Sequence, residues 1–226
     1  MLVVKRTEVI PVNISYTVVK RLIDLLVTIF FAPIFAVITI IVGILIKLDS
    51  PGPIFFKQDR AGKGGRVFSI YKFRTMYHNT DTSSHRTFMK QYIKGQLDPG
   101  KKQPEGGATV YKPPIQHQIT RIGRILRKTS IDELPQLWNV FWGQMSLIGP
   151  RPNVLWEVEA YDSWHNERLE VKPGITGLAQ VKGRSGIPFK ELVKYDLEYV
   201  KHRSILLDMK IVWWTALAVL KSDGSG

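Results

Sequence analysis

Residues 20–47 read KRLIDLLVTIFFAPIFAVITIIVGILIK, and 22 of them, from 25 to 46, are uncharged and almost wholly apolar. Such a run reads as a membrane segment, because a straight helix rising about 1.5 Å per residue would just cross a hydrocarbon core of about 30 Å. It is too long for the core of a signal peptide and shows no small-residue cleavage site, so it is expected to stay in the mature protein.

Two features of the same stretch argue against a plain crossing. Pro33 lies in its first half, where the ring removes a backbone hydrogen bond and bends the helix. Both flanks are basic, with Lys20 and Arg21 ahead and Lys47, Lys57, Arg60 and Lys63 behind. Lys- and Arg-rich flanks stay on the cytoplasmic side, and one crossing cannot keep both there. A helix broken at Pro33 enters and leaves through one face, so a re-entrant helix–break–helix is predicted over 20–49. The cost falls on freed carbonyls near Phe30, which need water, a side chain or neighbouring protein as partners. An ordinary kinked span followed by a cytoplasmic domain is the alternative.

Outward from this segment, residues 1–19 form a short lead and 50–226 a cytosolic domain. Ser50-Pro51-Gly52-Pro53 cannot continue a helix and marks the exit turn. The next stretch, KQDRAGKGGRVFSIYKFRTM (57–76), predicts two strands around a turn at Gly62, Gly64 and Gly65. A phosphate cradle is the rival reading of that turn. Neither a Walker-type GxxxxGK followed by Ser or Thr nor GxGxxG is present, and a strand follows, so a hairpin loop is favoured. Residues 77–118 turn polar, with Pro99, Gly100, Gly106, Gly107, Pro113 and Pro114 as breakers. They read as an excursion with one helix near 86–93, made basic by Lys94, Lys101 and Lys102.

A helix is expected near 153–165, then a structured loop broken by Pro173, Gly174, Gly177 and Gly183, and a last helix from Phe189. The final apolar run, ILLDMKIVWWTALAVL (205–220), is short for a span. Trp213 and Trp214, with Trp138 and Trp142, suggest helices lying at headgroup level, and burial in the core explains the same residues. The expected fold class is α+β: a re-entrant membrane helix, a small β-hairpin and a mainly helical cytosolic domain with amphipathic interfacial helices.

A net charge of +13 on 226 residues implies an anionic partner, and nucleic acid, anionic lipid and nucleotide phosphates all qualify; 44% apolar content is enough for one sizeable core. The chain has no cysteine, which excludes disulfides, iron–sulfur clusters, cysteine-rich zinc sites and a thiol nucleophile. His78, His85, His117, His165 and His202 lack the spacing of a metal site and read as polar surface residues.

The chemistry is concentrated in Ser130-Ile131-Asp132-Glu133, which sets adjacent carboxylates at the expected start of a helix that closes with Pro150-Arg151-Pro152. Ser130 with Glu133 also fits a capping box, a purely structural role. The surrounding cations weigh against that reading: Arg121, Arg124, Arg127 and Lys128 come just before the pair, and Arg151 just after. An ionised Asp in that setting can hold a divalent cation together with phosphate oxygens, and can itself attack phosphorus. Separately, Arg184 amid small residues lets backbone and guanidinium approach a phosphate or base.

With these residues laid out, the chain from about residue 20 to 220 resembles the monotopic bacterial phosphoglycosyl transferases, sugar transferases that start surface-polysaccharide and glycoprotein-glycan assembly. The landmarks are DSPGP, IYKFRTM, RKTSIDELPQLWNV, MSLIGPRP and KPGITGLAQVKGR, in family order and spacing. The resemblance implies transfer of a phosphosugar from a UDP-sugar to polyprenol (undecaprenyl) phosphate with release of UMP. It makes Asp132 the nucleophile that forms a phosphosugar–aspartyl intermediate, and has Glu133 help bind Mg²⁺ and activate the lipid phosphate. Lys72, Arg74, Arg127, Arg151 and Arg184 would hold phosphates and nucleotide. The implied setting is the cytosolic face of the bacterial inner membrane, with membrane lipids but no nucleic acid as partners, and with a homodimer left open.

Two departures from the family pattern stand out. Ala32-Pro33 replaces its frequent Ser-Pro, so no serine hydroxyl satisfies the membrane break, and Leu178 replaces a Trp of the GITGWAQ block, which removes any stacking role there. The 77–118 excursion looks longer than in the smallest members, and the N-terminal spans of larger ones are absent, which suggests a compact form or a catalytic core. The rivals are a basic membrane-anchored scaffold whose acids only cap a helix, and a metal-dependent glycosyltransferase, for which the chain lacks a DxD.

Overall fold

A computed structural model describes residues 13–78, 80, 83–96, 118–183 and 187–220. Helix α1 (Ile14–Asp49) starts earlier than the apolar run requires, because Asn13 caps it by accepting the Tyr16 N–H at 2.9 Å. Where a break was expected at Pro33, helix continues on both sides. Proline forfeits its own donor and crowds one carbonyl, while the turns around it keep their bonds. Most of α1 is exposed apolar surface, with Leu26 at 68% and Phe30 at 73%.

Both ends of α1 are fastened to the same body. Near the start, Lys20 Nζ and Tyr16 OH donate to Asp208 Oδ2 at 2.8 and 3.0 Å, and Arg21 donates to the Val140 and Phe141 carbonyls. Asp24 accepts from Ser146 Oγ and Leu147 N. At the far end Asp49 Oδ2 accepts the Ile122 N–H at 3.0 Å, and Arg74 donates to the Ser50 and Pro51 carbonyls. A straight helix of 36 residues would be about 54 Å long at about 1.5 Å per residue.

The predicted hairpin forms from β1 (Phe55–Ala61) and β2 (Val67–Phe73), antiparallel, with the glycine turn as a single 3₁₀ turn, Lys63–Gly65. Gly64 and Gly65 have φ of 67° and 74°, which is why glycine stands there. The excursion supplies α2 (Ser83–Ile93), which matches the expected helix, and then α3 (Arg121–Lys128) and α4 (Gln136–Phe141) follow. The helix expected to run from the acid pair to Pro150 stops at Phe141, because Gly143 (φ 76°) turns the chain into β3 (Ser146–Ile148).

The helix expected near 153–165 is fragmented into β4 (Asn153–Val154), α5 (Leu155–Val158) and a 3₁₀ stretch, Ser163–Glu170. The expected structured loop instead holds β5 (Gly174–Thr176), parallel to β3, and α6 (Leu178–Gly183). Helices α7 (Phe189–His202) and α8 (Ile205–Leu220) complete the described chain. Strand β1 lies between β2 and β4. One apolar core joins Phe35, Val42 and Ile46 of α1 to Phe73 and Leu126. Each such side chain, fully buried, contributes about 1.5–3 kcal/mol.

Helix α3 docks so closely on the end of the hairpin that only glycine fits at 123. A Cβ there would lie 2.1 Å from the Thr75 carbonyl oxygen, and backbone cannot swing aside. Gly123→Ala is therefore expected to lower stability by about 3 kcal/mol, as overpacking against a rigid neighbour does. Thermal unfolding in detergent checks this, and an unchanged midpoint would contradict the close approach.

Candidate active site

The acid pair sits in a 3₁₀ turn, Ile131–Glu133, between α3 and α4. Thr129 ends α3 by turning its hydroxyl back to the Ile125 carbonyl, and Ser130 then adopts a left-handed conformation, φ 56° and ψ 14°. That conformation costs a non-glycine residue about 1–2 kcal/mol. It reverses the chain so that Ile131 and Leu134 pack into the core, leaving Asp132 and Glu133 to face β2. The capping-box reading fails: Ser130 makes no side-chain cap bond, and Glu133 reaches Lys72 instead.

Strand alternation places Lys72 opposite. Phe68 and Ile70 are buried on one face of β2, and Lys72 follows in the same phase. Asn139 of α4 fixes the spacing between the two elements, since its amide copies a strand partner along the free edge of β2. Its Nδ2 donates to the Ser69 carbonyl at 2.7 Å and its Oδ1 accepts the Tyr71 N–H at 3.1 Å. Lys72 Nζ lies 2.5 Å from Glu133 Oε1, and Arg151 Nη1 lies 3.7 Å from the same oxygen.

Arg151 is half exposed, but its backbone is pinned on both sides: Gly174 N–H donates to the Pro150 carbonyl at 2.9 Å and Arg60 Nη1 to the Pro152 carbonyl at 3.1 Å. Arg127, one helical turn beyond Gly123, donates from Nε to Thr75 Oγ1 at 2.9 Å. Arg60, Lys72, Glu133, Gln136 and Arg151 together line one depression floored by Ile70 and Ile175.

The two carboxylates are driven apart electrostatically. Burial pushes Asp132 above the usual carboxylate range, Glu133 adds to the push, and Lys72, Arg127 and Arg151 only partly offset it. Burial acts on Glu133 as well, but Lys72 and Arg151 outweigh it and hold that carboxyl below its usual range. Burial also lowers Lys72. Two neighbouring acids with opposed shifts divide the labour: Glu133 is a fixed anion and Asp132 the more basic carboxylate.

Among the described residues no group of three His, Asp or Glu forms a metal cage. Asp132 and Glu133 still suit Mg²⁺, which is commonly held by one or two carboxylates with substrate phosphates completing its shell. The donor chemistry fits.

Lys72, Arg127 and Arg151 thus gather around the acid pair. Arg74 is buried and spends its guanidinium on the Ser50 and Pro51 carbonyls at the exit turn. Pro33 lies within α1, and Arg184 lies outside the described residues. His165 departs from the surface assignment given to the histidines: it is 4% exposed, ringed by Tyr161, Trp164 and Phe189, with Nδ1 accepting the Asp162 N–H. Tyr161 and Trp164 are near it in sequence, but Phe189, which closes the pocket, comes from α7, so local spacing does not reveal its burial. Arg60, Thr75, Gln136 and Asn139 were missed. Thr75 lies inside the IYKFRTM block, but its contact with Arg127 of α3 joins residues 52 positions apart, and no local pattern encodes it.

Residues 15–222 match the family model described as bacterial sugar transferase. The galactosyl transferase CpsE of Streptococcus agalactiae is 38% identical over 212 residues, covering 93% of this chain and 44% of that protein. The uncharacterized sugar transferase EpsL of Bacillus subtilis is 39% identical, over 92% of this chain and 90% of that protein. The UDP-glucose:undecaprenyl-phosphate glucose-1-phosphate transferase of Caulobacter vibrioides is 36% identical, over 91% and 71%. With the family's match running through the hairpin, the acid turn and the Arg151 loop alike, the chain belongs to the bacterial sugar transferases.

Proposed function

We propose that this chain transfers a sugar 1-phosphate from a UDP-sugar to polyprenol phosphate in two steps at Asp132. The observation that carries the reading is the buried Asp132–Glu133 turn facing Lys72, Arg127 and Arg151. In the first step an Asp132 carboxylate oxygen attacks the β-phosphorus of the UDP-sugar. The bond from that phosphorus to the bridging oxygen breaks, UMP leaves with the electron pair, and an acyl phosphate joins Asp132 to the sugar phosphate. In the second, a phosphate oxygen of the polyprenol attacks the same phosphorus and frees the carboxylate, leaving a diphosphate-linked sugar on the lipid.

Lys72 and Arg151 would hold the phosphate oxygens and stabilise charge that builds on them, and Arg127 would orient Asp132. Asp132 and Glu133 would hold Mg²⁺, which supplies charge neutralisation on the diphosphate when bound. Arg74, at the exit turn, would act on the site by fixing the hairpin to the membrane helix. The topology in this reading is re-entrant and the domain cytosolic. It is supported by bonds from both ends of α1 to one body, which a straight crossing of about 30 Å would separate.

The test uses the purified chain with a panel of UDP-sugars and no lipid acceptor. A stoichiometric pulse of UMP and a phosphosugar mass on the peptide containing Asp132 are expected, both stopped by EDTA. Strict dependence of any UMP release on polyprenol phosphate would instead favour direct transfer.

A further inference from the structure

The glycine-rich hairpin turn has a second consequence besides closing the hairpin. It forms one wall of a cleft of about 640 Å³ whose other wall is the α4–β3 turn at Trp142 and whose base is Phe68, Leu169 and Lys172. Lys63 and Arg66 enter from the turn, and Arg21 and Lys172 converge on Gly143, where a Cβ would lie 3.3 Å from Arg21 Nη2 and 3.4 Å from Lys172 Nζ. Lys63, Arg66 and Lys172 form no ion pair among the described residues, and the acids nearby are Glu170 and Asp24. Burial lowers Lys172, and Arg21 and Lys63 lower it further, with Asp24 only partly offsetting them, as expected where cations outnumber anions.

We propose that this cleft binds the phosphate of an anionic phospholipid from the bilayer around α1, an inference that rests on the membrane reading above. Three observations favour a lipid as the source of the phosphate. Phe68 and Leu169 give the cleft apolar surface beside Lys172, Trp142 stands 70% exposed at its mouth, and Arg21 sits where the exposed apolar face of α1 begins with Leu22 and Leu26. Cations set beside apolar surface at that level match a headgroup with the start of its acyl chains. The site is separate from the acid pair: Phe68 and Lys72 are four residues apart on β2, about 13 Å at about 3.3 Å per residue.

The full chain purified in neutral detergent would be titrated with short-chain phosphatidylglycerol, with phosphatidylcholine of equal chain length and with inorganic phosphate, followed by calorimetry and tryptophan fluorescence. Saturable binding of phosphatidylglycerol is expected, with a fluorescence change lost in Trp142→Phe. Lys63→Glu combined with Lys172→Glu should weaken it about twenty-five-fold or more, because each cation near an anionic lipid contributes about fivefold or more. Lys63→Glu alone, on an exposed turn, serves if the double variant folds poorly, and should weaken binding about fivefold. Equal binding of phosphatidylcholine, full competition by inorganic phosphate, or unchanged binding in the variants would each overturn the proposal. The readout needs neither turnover nor a bilayer, so failure here is distinct from failure of the transferase reading.

Discussion

Asp132→Asn is expected to lower UMP release by at least about a thousandfold while raising stability at neutral pH. The amide keeps the size of the carboxylate but cannot attack phosphorus, so the first step has no nucleophile. The stability gain follows from the burial that makes Asp132 more basic than a free carboxyl. A folded pKa above the unfolded one means the folded state prefers the protonated group. That contribution is complete below the unfolded pKa and is lost as pH rises through the folded one, so ionised Asp132 destabilises the fold at pH 7. Asn resembles the protonated form. Its melting temperature should exceed wild type at pH 7, with the gap closing on acidification. Retention of a tenth of wild-type UMP release would sink the nucleophile assignment.

Glu133 gives the opposite sign in the same experiment. Its carboxyl is held below the usual range, so its contribution is present above the unfolded pKa and is lost as pH falls through the folded one. Glu133→Gln should be severely impaired and also less stable at pH 7, since it leaves Lys72 largely buried beside Arg151 without its anion. Opposite stability shifts from adjacent isosteric changes separate a poised nucleophile from a structural acid pair.

The hairpin, the turn at 50–53, α2, α7 and the long apolar helix α1 were all legible in the sequence because each rests on local signals: alternation, turn glycines, prolines and apolar length. The chain from 143 to 183 was not, because its order comes from distant partners. Gly149 N–H bonds to the Thr176 carbonyl, Gly174 N–H to Pro150, and Arg60 to Pro152, and no local period encodes such pairings. The acid pair stands out in the sequence by its carboxylates and surrounding cations, but its local conformation does not. Residues 130–133 satisfy a capping-box pattern, yet tertiary contacts drive Ser130 left-handed and turn Glu133 toward a lysine 61 positions away. Arg74 shows the reverse limit: a cation of the IYKFRTM block, expected to hold phosphate, is committed here to backbone carbonyls.

Cysteines placed at residues 17 and 60 of this cysteine-free chain are expected to be shielded from a membrane-impermeant thiol reagent in intact cells, and both labelled after lysis. The expectation follows from how α1 is held. Lys20 and Tyr16 bind Asp208 of α8, and Asp49 binds the start of α3, which in the proposed re-entrant topology keeps both ends on the side of the membrane that carries the Asp132 turn. For a straight crossing, the Lys20–Asp208 and Arg21–Phe141 bonds would have to break, stranding an aspartate that is now buried. Pro33→Leu restores a backbone donor and removes the ring clash, which favours a straight helix by about 3 kcal/mol. The contacts at the α1 N-terminus and the basic flanks oppose that inversion, so a mixture of topologies is expected, with the residue-17 cysteine partly labelled in intact cells. Charge reversal at Asp208, as Asp208→Lys, should push the mixture further, because it repels Lys20 and releases the latch that Pro33 otherwise accommodates. Full labelling of the residue-17 cysteine in the intact wild-type background would establish an ordinary span and leave the paired contacts of α1 without a physiological counterpart.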